Sequence, residues 1–370
     1  MKILYYATFL ILMVIARFVF PFTDEPDFPA RSAELLGFRD TLLFNPYQIF
    51  GNIINIDDSI KDHQLCIIKS STLSLWPVIG DGCTQDWQKL LMRAFYNIFM
   101  LSPFLLLLIG PNKSNSFISK GAVLISLLFP GVIYYLGLFT NEQFSLILSL
   151  IATTYLSRSK LIIFILCIFI FILDSGNSVV FIMVVAMYYL NIYLNRYLSL
   201  KKIALLSLAF IMLCYSLNTA ALDFFNSLPI IGQKAQAMTE QLDGSVFYEK
   251  YPLFLRPVIT YMTFVYMSPA YIKSIPLYLF FPLFVFYAHK KRNGNNECGD
   301  NRLVLFLLAF ITSTLSLVYM FPTYGNAKYY IFAFPAVTQY LINRVGEKST
   351  YIFYTFLSLF LFLNIAIYTI

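Results

Sequence analysis

"ILYYATFLILMVIARFVFPF", residues 3–22, is an unbroken apolar run with a single charge, Arg17. About 20 apolar residues is what an α-helix needs to cross the hydrocarbon core of a bilayer. The run has no small-residue cleavage site and carries its arginine inside, so it reads as a retained membrane helix rather than a signal peptide. Similar runs recur to the end of the chain. Of its 370 residues 59% are hydrophobic and 12% charged, and the mean hydropathy is +0.71. Soluble domains carry about 25% charged residues, so this chain is solvated mainly by lipid. The expected fold is an all-α polytopic membrane protein, because a helix is the single-segment structure that satisfies its own backbone in lipid.

Working outward from the first run gives about eleven spans, near 3–22, 92–110, 121–139, 143–157, 161–173, 178–194, 203–221, 274–288, 303–321, 328–342 and 350–369. Alternate turns read "GPNKSNSFISK", "SRSK", "NRYLSLKK", "HKKRNGNNECGDNR" and "NRVGEKS", all basic. With Lys2 they fall on one side, which the positive-inside rule makes the cytoplasm. The other side receives two sizeable loops, 23–91 and 222–273, in which interfacial helices are expected, and all of the 19 acidic residues except Glu297, Asp300 and Glu347. The 370 residues thus form one integral-membrane domain, with the N-terminus inside and the C-terminus outside. A bacterial inner membrane is the expected location. The net charge of +7 sits at the ends of apolar runs rather than on a soluble face, which argues against nucleic acid.

Only two histidines are present, His63 and His289, and there is no Walker motif, HExxH or GxGxxG fingerprint. Carboxylates, amides, tyrosines and a few cations are left as working groups. Asp24, Glu25 and Asp27 follow directly on the first span, where a carboxylate can act as general base on a hydroxyl or hold a divalent cation. They also suit a plain solvated loop stiffened by Pro21, Pro26 and Pro29. Pro130 and Gly131 interrupt the third span, and Asn141 and Glu142 stand at the turn that follows. N-capping of the next helix explains that pair equally well. "YMFPTYGNAKYYIFAFP", residues 319–335, brings Tyr324, Asn326, Lys328 and Tyr329 to the outer side, and "EKYPLFLRP" brings Arg256. Lys328 and Arg256 are cations of the kind that hold a phosphate. Asp174 and Asn177 make a polar turn of either meaning. Cys66 and Cys83 share the first outer loop, where one disulfide would close a loop of about 18 residues and add about 3 kcal/mol in the chain-entropy model.

At these residues the chain resembles the GT-C superfamily of integral-membrane glycosyltransferases. "FTDEPDFPARSAELL" looks like the acidic motif of that family's first outer loop and its interfacial helix. "LFPGVIYYLGLFTNEQFSLI" looks like its Pro-broken helix, and "PTYGNAKYYIFAFPAV" like its late outer loop. These segments cover under a fifth of the chain, and the middle does not align. The resemblance implies transfer of a sugar from a polyprenyl-phosphate donor to a glycan acceptor on the outer face, with inversion. It implies Asp24 as catalytic base, supported by Glu25 and Asp27, with Lys328 or Arg256 on the donor phosphate. Asn141, Glu142, Tyr324, Asn326 and Tyr329 would then meet the substrate. A divalent cation, magnesium or manganese, is compatible with this chemistry but not required by it. The aromatic, charge-poor composition and large outer loops are also similar to bacterial O-antigen polymerases, whose outer arginines hold a polyprenyl diphosphate; Arg256, Arg31 and Arg39 would serve there. A flippase for lipid-linked glycans is the alternative of another class, expected to show charges inside spans and broken helix pairs.

Overall fold

The computed structural model describes residues 2–19, 84–109, 116–138, 141–157, 159–173, 175–217, 252–265, 275–291, 301–320 and 329–368. Among them it is almost wholly helical, with no strand. The helices are α1 (Lys2–Val19), α2 (Thr84–Ile109), α3 (Lys120–Ser126), α4 (Pro130–Gly137), α5 (Asn141–Tyr155), α6 (Lys160–Leu173) and α7 (Ser175–Leu194). They continue with α8 (Leu200–Ser216), α9 (Arg256–Val265), α10 (Ile275–Lys290), α11 (Asn301–Met320), α12 (Phe334–Val345) and α13 (Glu347–Tyr368). By length and apolarity α1 and α11 can each cross a membrane, and the bent pair α3–α4 makes a third candidate among the described residues.

The peripheral helices are greasy on their outer faces. Leu161, Phe164 and Ile168 on α6 and Leu205, Leu208 and Met212 on α8 stand exposed. Patches of this kind in water drive association; against lipid tails they cost nothing. The inner seams repeat at helical spacing. Ile203, Ser207, Ile211 and Cys214 of α8 are buried and pack on α11, which also receives α7. Along α11 the residues Ala309, Thr312, Ser313 and Ser316 are small and buried, and small residues let membrane helices approach closely.

The third expected span is broken where Pro130 and Gly131 predict it. α3 and α4 meet at 73° across Leu127–Phe129, wholly inside the bundle. The freed backbone groups have named partners. Leu128 and Phe129 N–H donate back to Ile125 and Ser126 at 3.0 and 3.1 Å. Pro130 starts α4 with no N–H to satisfy. The carbonyl of Leu128 accepts from Ser358 of α13. Phe129 then stacks on Phe334, the first residue of α12, at 3.9 Å, with Tyr354 edge-on at 5.7 Å. The α12 helix begins at this level because Pro335 suits a first turn. The stretch before it, Ile331–Ala333, is a buried 3-10 turn rather than more α-helix.

Two ends are defined by cross-links between turns. At one end Ser116 Oγ donates to Thr154 O (3.2 Å), Ser119 N–H to Gln339 Oε1 (2.7 Å), and Tyr189 OH to Leu156 O (3.2 Å). Asn191 Nδ2 donates to Leu305 O there (3.2 Å), and His289 meets Tyr340 (3.0 Å). Lys120, Lys160, Lys201, Lys290 and Arg344 lie on these same turns. The basic turns read from the sequence therefore converge on one end of the bundle.

Candidate functional site

The opposite end holds a buried polar node at the C-terminus of α4. Arg17 of α1 donates from Nη1 to Gly137 O at 3.3 Å, and Asn97 of α2 donates from Nδ2 to Leu136 O at 2.9 Å. Gln143 of α5 donates from Nε2 to the same Leu136 carbonyl at 2.6 Å and to Asn97 Oδ1. The node forms because α4 stops short: Leu138 is already extended, at φ −81° and ψ 130°. The last carbonyls of a helix lack partners inside it and carry the negative end of its dipole. A guanidinium and two amides, each from a different helix, complete them. Arg17 is 2% exposed. A buried charge at membrane depth is costly and marks a place of consequence.

Arg256 opens α9 at this end. Its Nη1 donates to Tyr319 O near the C-terminus of α11 at 3.2 Å, and its side chain is half-buried. An amphipathic helix lying on the membrane is the expectation for this segment. A helix is there, and it packs against α4, α10 and α11, with Thr260 buried and Tyr261 stacked towards Phe281 at 6.4 Å. α4 is thus held by Arg17 at its C-terminus and flanked by the helix that Arg256 begins.

Tyr329 is half-buried, edge-on to Tyr330 at 6.4 Å. The 3-10 turn that follows it packs against α5. Asn141 and Glu142 begin α5, and their side chains lie outside the described residues. So do Asp24, Glu25, Asp27, Tyr324, Asn326, Lys328, Cys66 and Cys83. Arg17, Asn97 and Gln143 are absent from the sequence-based site. Their signal was a polar side chain inside an apolar run, which Arg17 shows clearly and the two amides only weakly.

Other buried hydroxyls serve packing. Ser149 and Thr153 donate to the carbonyls one turn back, at 2.7 and 2.8 Å, and so neutralise themselves within α5. Among the described residues no three His, Cys, Asp or Glu side chains are grouped to hold a metal ion. The thiols of Cys167 and Cys214 are free. No known protein family, curated protein or solved structure matches this chain.

Proposed function

We propose that the chain is an integral-membrane glycosyltransferase of the GT-C kind. In this reading it crosses a bacterial inner membrane eleven times, as α1, α2, the bent pair α3–α4, α5 to α8, and α10 to α13. The basic turns face the cytoplasm, and the reaction takes place at the other end. The supporting observation is Arg256, a half-buried guanidinium presented at the end remote from the basic turns.

The donor's polyprenyl chain lies in the bilayer, and its phosphate meets Arg256 or Lys328. The acceptor hydroxyl attacks the anomeric carbon, and its proton passes to the Asp24 carboxylate, with Glu25 and Asp27 beside it in sequence. The new carbon–oxygen bond forms as the bond to the phosphate oxygen breaks. The phosphate leaves with the bonding pair, and the configuration inverts. A cation beside the leaving group offsets its growing charge, so no acid is needed there. Asn141, Glu142, Tyr324, Asn326 and Tyr329 are the groups proposed to meet the sugars.

A second reading, polymerisation of repeat units carried on a polyprenyl diphosphate, also draws on Arg256, because a planar fork suits two adjacent phosphates. A flippase draws support from the broken pair α3–α4 and from buried Arg17. Against it, the break is closed by Ser358 and by aromatic rings rather than lined with polar groups.

The test is the lipid-linked glycan profile of cells lacking the chain, complemented with wild type, Asp24→Asn or Arg256→Ala. Full-length chains missing one sugar, unrescued by Asp24→Asn, support the transferase. Single repeat units rescued by Asp24→Asn but not by Arg256→Ala support the polymerase. A glycan complete on the wrong leaflet supports transport and sinks both.

A further inference from the structure

An apolar groove of about 440 Å³ opens on the flank of the bundle between α9, α10 and α12. Its walls are Tyr261, Phe281, Pro282, Val285 and Phe286, and His289 and Tyr340 close it at the end of the basic turns. The volume is within the range of about 300–1,000 Å³ that holds small ligands. The walls are apolar side chains and the ring of Tyr261, and at the end His289 Nδ1 lies 3.0 Å from Tyr340 OH. Leu283, Phe286 and Tyr287 stand exposed along the same helix, so the groove opens into the lipid-facing surface. Its shape and chemistry are those of a seat for a hydrocarbon chain.

Cations frame its polar mouth. The Arg344 guanidinium lies over the Tyr340 ring at 5.3 Å, and Lys291 Nζ over the Tyr287 ring at 5.6 Å. Lys290 is exposed between His289 and Lys291. Glu347, which begins the next helix, is turned away: its carboxylate crowds Gly121 and bonds Tyr5. Among the described side chains the mouth is therefore positive without a compensating acid. Basic clusters between membrane helices at the cytoplasmic interface bind anionic lipid headgroups.

We infer that this groove binds one anionic phospholipid. Its acyl chain lies against Tyr261, Phe281, Val285 and Phe286, and its phosphate lies among Lys290, Lys291 and Arg344. Its headgroup cations lie at the end remote from Arg256 and are distinct from the group proposed for the donor's phosphate, while Tyr261 in the groove wall belongs to the helix that Arg256 begins.

The experiment is native mass spectrometry of the purified chain in phosphatidylcholine micelles, titrated with phosphatidylglycerol. One phosphatidylglycerol per chain should persist, while phosphatidylcholine exchanges freely. The variant K290Q/K291Q/R344Q changes two exposed lysines and the half-buried Arg344 and should weaken retention at least about tenfold by removing the attraction of three cations. Val285→Trp fills the groove, leaves the cations in place, and should weaken retention similarly. Equal retention by wild type and the triple variant, or equal binding of phosphatidylcholine, would overturn the inference. So would a polyprenyl phosphate that displaces phosphatidylglycerol and binds the triple variant as well as wild type, because the groove would then seat a substrate tail.

Discussion

Ser358→Ala should destabilise the protein far more than a chemically identical change on α5, Ser149→Ala. Both serines are buried and both hydroxyls donate to a backbone carbonyl. The Ser145 carbonyl lies inside α5 and also serves the helix ladder, so losing Ser149 Oγ leaves it satisfied. The Leu128 carbonyl lies at the break between α3 and α4, where the ladder is interrupted, and Ser358 reaches it from 230 residues away. A net hydrogen bond is worth about 1 kcal/mol, and a buried carbonyl left unmet costs about 1–3 kcal/mol. Ser358→Ala should therefore cost about 1–3 kcal/mol and Ser149→Ala under about 0.5 kcal/mol, since bonding back along a helix contributes little. Reversible unfolding in mixed micelles, by denaturing-detergent titration, measures both on one scale. If the two variants fall within about 0.5 kcal/mol of each other, satisfaction of the break by Ser358 is not what stabilises it.

Arg17→Met should cost about 1–3 kcal/mol by stranding the Gly137 carbonyl, and Arg17→Lys less, since a cation at a helix C-terminus retains part of the dipole interaction; the same titration decides. Phe334→Ala should cost about 3–5 kcal/mol, because it empties the ring stacked on Phe129 at the centre of the bundle; a loss under about 1 kcal/mol would mean the cavity refills. Arg256→Lys should lower transfer from a polyprenyl-linked donor about tenfold or more while leaving the unfolding midpoint in place; an unchanged rate would remove Arg256 from the donor site.

Much of the helical layout is legible in the sequence, because apolar runs punctuated by basic turns carry both positions and ends. The interruption at Pro130 is legible for the same reason: proline removes a donor wherever it falls. Pro335 carried a similar signal for the start of α12, but the apolar residues around it matched a continuous span and masked the 3-10 turn. The node at Gly137 was not legible. Asn97 and Gln143 come together across 46 residues, and Arg17 reaches Gly137 across 120. No periodicity encodes such pairings. The contacts of α9 with α4, α10 and α11 were not legible either, because an amphipathic pattern does not say which neighbours its apolar face meets.

The break at Leu127–Phe129 also sets an order of events during synthesis. α3 and α4 are each too short to cross a bilayer alone, so the 73° bend between them depends on partners outside the pair. Ser358 lies 230 residues after Leu128, so the hydroxyl that meets the carbonyl at the bend is made only when α13 is. One of the earliest segments made thus waits for one of the latest. A chain cut short before α13 would leave the Leu128 carbonyl without that hydroxyl.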